Sequence, residues 1–376
     1  MKNLFHLLQI DLDLREYKPA LLCFISAFIV TLLIIPPIIS IVKKLGLFDH
    51  PGDHKIHSTP IPTLGGIAII AGMMSALFMW FPFSSDGIQF SFFFSVGALL
   101  VVGILDDLRG LTARHKFVVQ CGLAAVIALT GTRIISFEGL FGINELPLFA
   151  QYSITMLAIV GITNAFNLID GIDGLAGGLG FMSLAVLGTY LSITGDMSYA
   201  LIAFALAGGI LAFLFFNFNP ARIFMGDTGS LVLGFVIAVL CIRLLQVNLF
   251  AAKPVLQHAP VFVLGIVLIP VFDTMRVFAV RIWSGHSPFM ADKNHIHHLL
   301  TRTGVSHNFT AKLLCFFHAT ILVEVFWLRG MQQEFILLIQ IFSMIIMMFV
   351  LKNLKFIFRK IKSIEIPVQR LENLGY

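Results

Sequence analysis

Charge is what this sequence has least of. Of 376 residues only 45 are Asp, Glu, Lys or Arg, 12% of the chain, while 58% are apolar. Soluble domains carry about 25% charged residues, so a water-facing globule of this composition lacks the polar surface to cover itself, and a soluble fold is excluded. Cysteine is scarce as well. Cys23, Cys121, Cys241 and Cys315 lie far apart, each inside an apolar run, with no CxxC or Cys/His metal spacing, and they read as packing residues. A soluble basic face is also missing: the net charge of +5 comes from Lys and Arg set between and after hydrophobic runs, which argues against nucleic acid as a partner. No solenoid-length repeat, low-complexity tract or appended soluble domain interrupts the chain.

What the chain does have is apolar runs of about 20 residues, the length of a bilayer crossing, recurring from Pro19 almost to Leu351. They predict an all-α polytopic membrane protein with eleven transmembrane helices, over 19–42, 63–82, 89–105, 116–132, 152–168, 175–194, 197–217, 229–247, 258–281, 311–328 and 334–351. An odd number places the termini on opposite sides. With the N-terminus outside, seventeen Lys and Arg fall inside and six outside, so the positive-inside rule sets an external N-terminus and a cytoplasmic C-terminus.

The expected organisation is an extracytoplasmic segment 1–18, a transmembrane catalytic domain 19–351 and a basic cytoplasmic tail 352–376. The first apolar run exceeds the 7–15 residues or so of a signal-peptide core, so no cleavage is expected. Residues 133–147, with Ile and Phe alternating around Glu138-Gly139, suggest a small extracytoplasmic β-hairpin. Pro36-Pro37 and Pro270 should kink or break their helices.

The polar residues gather in the inner connections, 43–62, 106–116, 168–175, 217–229 and 282–310. Asp106 and Asp107 follow an apolar run directly. Adjacent carboxylates there repel and lose hydration, so they need a metal or a basic partner, or else form a solvated pair neutralised by Arg109. Asn164, Asn167, Asp170 and Asp173 keep a spacing of three across a helix end, with Gly171, Gly174, Gly177 and Gly178 between and after them. Residues three apart share a helix face, and such hard oxygen groups suit Mg²⁺; a glycine-rich turn capped by Asx side chains accounts for only part of the array.

Phe224 to Ser230 opens the eighth run, where Asp227 followed by Thr228 and Ser230 reads as a helix N-cap, a role that can coexist with the pull of the exposed helix-start amides on an anionic group. His295-Ile296-His297-His298 lacks the Cys or Glu of a zinc site; its imidazoles suit a phosphate, or a solvated loop. Lys55 lies in a Pro/Gly-punctuated basic loop, and Lys116 is either an inside anchor or a phosphate contact.

Together these five motifs, spread over about residues 43 to 300, resemble the polyprenyl-phosphate N-acetylhexosamine-1-phosphate transferases. The His-Ile-His-His motif and Pro60-Ile61-Pro62-Thr63-Leu64-Gly65-Gly66 are similar to the WecA/TagO-like branch. The MraY-type branch, which transfers phospho-MurNAc-pentapeptide, has a different His-rich motif and typically ten spans. The resemblance implies transfer of a sugar 1-phosphate, GlcNAc-1-phosphate by default of the branch, from a UDP-sugar to undecaprenyl phosphate, releasing UMP. It implies Mg²⁺, with Mn²⁺ as a substitute, a place in the bacterial cytoplasmic (inner) membrane with the active site on its cytoplasmic face, and the first membrane step of a cell-envelope glycan pathway such as O-antigen or cell-wall biogenesis.

By the same resemblance Asp106, Asp107, Asn167 and Asp227 stand at the metal, and Asp106, Asp107, Lys116, His295, His297 and His298 carry catalysis. Lys55, Asn164, Asp170, Asp173 and Phe224 bind substrate, Asp173 and Phe224 at the uracil, and the histidines meet pyrophosphate or sugar. Direct displacement is the expected mechanism, because a phosphate monoester with a second pKa near 6 is already largely dianionic at cytoplasmic pH. A two-step route through an aspartyl phosphate is the competing one. A cation-coupled transporter is the rival class, but the acids cluster at helix ends on one side and no inverted repeat is visible. Oligomeric state, a homodimer included, stays open.

Overall fold

The computed structural model describes residues 14–46, 48–49, 61–84, 86–218, 220–285, 287, 295–296 and 305–372, with side chains described from 17 to 353 apart from 45 and 48–49. Among them eleven helices follow in order: α1 Leu14–Leu45, α2 Gly65–Trp80, α3 Gly87–Arg109, α4 Ala113–Leu129, α5 Leu148–Ile169, α6 Leu175–Ile193, α7 Met197–Asn217, α8 Gly226–Phe250, α9 Ala259–Trp283, α10 His307–Trp327 and α11 Gln333–Glu372. Nine are long and apolar enough to cross a membrane; α2, with 16 residues, and α4, with 17 and a start at Arg114-His115-Lys116, are shorter. Every expected apolar run is a helix. The largest differences are at the ends, where α1 begins at Leu14 and α11 runs on through most of the basic tail.

The chain is a multi-pass membrane protein, and helices answer the constraint lipid imposes, since only they satisfy every backbone group within one segment. α8 is the hub. It packs against α2, α3, α5, α6, α7 and α9, and 89% of its most apolar stretch is buried, against 22% for α1 and 28% for α11 at the periphery. Outward-facing Phe78, Phe90, Phe149 and Leu157 present an apolar belt. All three tryptophans, Trp80, Trp283 and Trp327, close a helix and are exposed, as residues at membrane–water boundaries are.

The prolines do not break their helices: α1 is continuous through Pro36-Pro37, and α9 through Pro270. Pro270 cannot donate to the carbonyl of Ile266, and the hydroxyl of Ser183 on α6 supplies the missing hydrogen bond at 3.0 Å. The hairpin expected over 133–147 forms as an antiparallel turn with one bridge, Ser136 to Glu145, and a 3-10 turn at Leu140–Gly142, rather than as two strands. Two short strands, β1 Phe48–Asp49 and β2 Ile61–Pro62, pair antiparallel and bracket the first polar loop.

At the hairpin tip Glu138 reaches α9, accepting from the amide of Ala259 at 3.1 Å. Burial holds the Glu138 carboxyl above its usual range. A carboxyl whose folded pKa is raised contributes stability that is fully present below the unfolded value, about 4.3, and is lost as pH rises through the folded one. The thermal midpoint of the purified protein should therefore contain a component that falls with rising pH across that interval, and Glu138→Gln should remove it; an unchanged pH slope in the variant would contradict the assignment.

Candidate active site

Three helix ends meet at one level. The last turn of α3 carries Asp106 and Asp107, the first turn of α4 carries Lys116, and the first turn of α8 carries Asp227. The side chain of Thr112 caps α4 by accepting from the His115 amide, which sets the register that aims Lys116 back across the Gly110 turn. Asp106 accepts from the amide of Leu111 at 2.6 Å and from Lys116 Nζ at 2.9 Å, and the same ammonium donates to Asp227 Oδ2 at 2.6 Å. The side chains of Lys116, Asp106 and Asp227 are 20, 12 and 26% exposed, so this is a partly desolvated triad with one face open, not a surface ion pair of negligible strength.

Asp107 does something different. Successive helical residues point about 100° apart, and Asp107 turns away from Lys116 onto the start of α8. Its Oδ1 accepts from the Asp227 amide at 2.9 Å, and its Oδ2 from the Thr228 amide at 3.1 Å and the Thr228 hydroxyl at 2.6 Å. The carboxylate that caps α8 is thus Asp107 of α3, not Asp227, which leaves Asp227 to face Lys116. Gly226 makes room for it: its φ is +70°, and an added Cβ would meet Asp107.

The Pro62 to Gly66 segment, part of the motif that carries the resemblance, supports the same corner by backbone pairing with the Phe224 loop. Phe224 donates its amide to the Pro62 carbonyl, and the amides of Gly65 and Gly66 donate to the carbonyls of Phe224 and Met225, each at 2.9 Å. A Cβ on Gly66 would collide with the backbone of Gly229.

Asp107→Ala should lower the free energy of unfolding by about 1–3 kcal/mol, the scale of unmaking hydrogen bonds to a charged group. Denaturation of the purified variant measures this, and an unaltered midpoint would rule out the capping role.

The Asn/Asp array divides by depth. Asn167 donates to Ser230 Oγ at 3.0 Å, which ties α5 to the first turn of α8 and leaves its Oδ1 as an oxygen donor. Asn164, one turn deeper, donates to Gln120 Oε1 at 2.6 Å and to the Val160 carbonyl at 2.8 Å, so it braces α5 against α4. Asp170 closes α5, and burial, then the charges of Asp227, Asp107 and Asp173, push its carboxyl well above the ordinary range. It is therefore near enough to the site's other carboxylates to feel their charge. Asp173 is 2% exposed and accepts from the amide of Ala221 at 3.2 Å.

Asn217 at the end of α7, which sequence reading passed over, accepts from Gly174 N and donates to the Ile223 carbonyl, joining the glycine-rich turn to the Phe224 loop. His295 lies against α9, with Nδ1 2.9 Å from Asp273 Oδ2. Lys55, His297 and His298 lie outside the described residues.

Among the described residues no three His, Cys, Asp or Glu side chains form a metal-holding group. The corner of Asp106, Asp227 and Asn167 nonetheless fits a hard divalent cation. The Lys116 ammonium between two carboxylates already marks a cation position, and the third donor is an amide oxygen, while both oxygens of Asp107 are committed to α8.

A family model described as glycosyl transferase family 4 matches residues 89–245, which include the whole triad. A Bacillus subtilis (strain 168) protein named "Probable undecaprenyl-phosphate N-acetylglucosaminyl 1-phosphate transferase" is 38% identical over 299 residues, covering 77% of this chain and 80% of its own length. The Escherichia coli (strain K12) undecaprenyl-phosphate alpha-N-acetylglucosaminyl 1-phosphate transferase is 33% identical over 289 residues, 74% of this chain and 76% of the relative. The Mycobacterium tuberculosis (strain H37Rv) decaprenyl-phosphate N-acetylglucosaminephosphotransferase is 32% identical over 306 residues, 75% and 76% of the two chains. With helices, polar corner and matched length in agreement, the chain belongs to glycosyl transferase family 4, in the group that holds these polyprenyl-phosphate N-acetylglucosamine-1-phosphate transferases.

Proposed function

We propose that this protein transfers N-acetylglucosamine 1-phosphate from UDP-N-acetylglucosamine to undecaprenyl phosphate, with release of UMP, at the cytoplasmic face of a bacterial inner membrane. The observation that carries the reading is the Asp106–Lys116–Asp227 triad at three helix ends. A lipid phosphate stays at the bilayer boundary while a nucleotide sugar arrives from water, and helix ends are where the two meet.

In the reaction an oxygen of the lipid phosphate forms a bond to the sugar-bearing phosphorus of the donor. The bond from that phosphorus to the bridging oxygen breaks, and UMP leaves with the electron pair. Phosphoryl transfer depends on charge neutralisation and in-line placement more than on covalent help. Lys116 supplies positive charge at the corner, where it donates to both Asp106 and Asp227.

Mg²⁺, or Mn²⁺ in its place, would be held by Asp106, Asp227 and Asn167 and would neutralise the diphosphate. Direct displacement is favoured over an aspartyl phosphate because Asp106 and Asp227 both bind Lys116 and Asp107 accepts three hydrogen bonds, so none is presented as a bare nucleophile. The test is UMP release by purified protein with a panel of UDP-sugars, with and without undecaprenyl phosphate. Release that requires both substrates, strongest with UDP-N-acetylglucosamine, is the expected result; release without lipid phosphate, or none with any sugar, would reject the reading.

A further inference from the structure

α9 buries two charged residues, Arg281 and Asp273, and Asp273, 1% exposed, lies on the same helix as the Ser183-supported Pro270 and remote in sequence from the carboxylate corner. A lone carboxylate in that position is costly unless paired and hydrogen-bonded. Its oxygens are used by groups of two kinds. Arg276, one turn on, donates to Oδ1 at 2.9 Å, which neutralises the charge within α9 itself. The other two partners come from the histidine motif: the amide of Ile296 donates to Oδ1 at 3.0 Å, and His295 Nδ1 stands 2.9 Å from Oδ2. One carboxylate thus grips a side chain and the next backbone amide of the same short segment, which fixes both the position and the direction of the chain there. His295 and Ile296 are themselves buried, at 5 and 2% exposed, so the first half of His-Ile-His-His is packed against the protein.

From this geometry we infer that Asp273 is a positioning residue that clasps His295 and the Ile296 amide to α9, and that His295 serves as half of this clasp rather than as a ligand of the donor diphosphate. The inference deepens the proposed function and rests on it. It gives His295 the role of anchoring the start of the histidine motif. The arrangement also gives Arg276 a purpose, because it holds the ionised carboxylate in place whether or not His295 carries a charge.

Two measurements test the clasp, one of which does not depend on activity. In hydrogen exchange of the full-length protein in detergent, Asp273→Ala should speed exchange of the Ile296 amide by at least about tenfold, as expected where a buried hydrogen bond limits local opening. Exchange at the α8 start should stay as in the wild type. In turnover, asparagine at 295 places an N–H where Nδ1 stands, whereas glutamine places it where Nε2 stands. His295→Asn should therefore keep a kcat at least about tenfold above His295→Gln, the scale on which misplacement near reacting groups acts.

Asp273→Ala combined with His295→Gln should be no worse than the poorer single variant. An Ile296 amide whose exchange ignores Asp273, or glutamine equal to or better than asparagine at 295, would overturn the clasp. A wild type without turnover but with the exchange difference intact would reject the proposed reaction and leave the clasp standing.

Discussion

Asp227→Asn should lower kcat/KM for UMP release by about 10³-fold or more, a loss of about 4 kcal/mol of transition-state stabilisation, with little change in the amount of folded protein. The substitution is nearly isosteric, and the Asp227 backbone amide would still donate to Asp107, so the α8 cap persists. What disappears is one of the two negative charges on Lys116, together with an oxygen that suits a divalent cation. Without it the ammonium is held by Asp106 alone, and an amide nitrogen can turn toward it in place of an oxygen. The loss should fall on kcat more than on KM, because in the proposed reaction the triad acts on charge that develops as the bond to UMP breaks. Steady-state kinetics with both substrates varied would check this, and a variant with wild-type kcat would remove Asp227 from the reaction.

Lys116→Met should cost about 10²–10³-fold in kcat/KM and should also destabilise the protein, unlike the Asp227 substitution. Methionine keeps the length of the stem but leaves Asp106 and Asp227, partly buried, facing each other without a counter-charge. Breaking one side of such an arrangement is more harmful than its net worth, since the carboxylates remain. Combining Lys116→Met with Asp227→Asn removes part of that repulsion, so the double variant should be less active than the wild type yet recover stability relative to Lys116→Met alone, and its kinetic effects should be strongly non-additive. Fully additive losses in both rate and unfolding midpoint would show that the two groups do not act as a unit.

Much of this was legible in the sequence because lipid simplifies the problem. Eleven apolar runs became eleven helices, since a chain in a bilayer has few other ways to satisfy its backbone. The residues of the corner were legible too, as Asp106, Lys116, Asn167 and Asp227 are polar groups at the ends of apolar runs. What pattern alone did not reveal was partnership. Asp106 and Asp107 look alike in sequence, but a turn of about 100° between neighbours sends one to Lys116 and the other to cap α8.

Asp227 reads as an N-cap because an acid just before an apolar run usually is one, and the cap comes instead from a residue 120 positions away. Asn164 shares a spacing with Asn167 but sits a turn deeper, where Gln120 takes its amide. Pro270 reads as a kink or break because sequence cannot show that Ser183 supplies the hydrogen bond it forfeits. Asn217 gave only one signal, an amide at the end of an apolar helix, and that signal is common.

In the proposed reaction the Asp106–Lys116–Asp227 corner binds the nucleotide sugar from the cytoplasmic side. Ala113, exposed on the first turn of α4 next to Lys116, is the position from which to ask. With the four native cysteines replaced, Ala113→Cys should react with a membrane-impermeant maleimide in inside-out vesicles and not in right-side-out ones, and UDP-N-acetylglucosamine should slow the reaction. Labelling from the outer face, or a rate that ignores the nucleotide sugar, would contradict it.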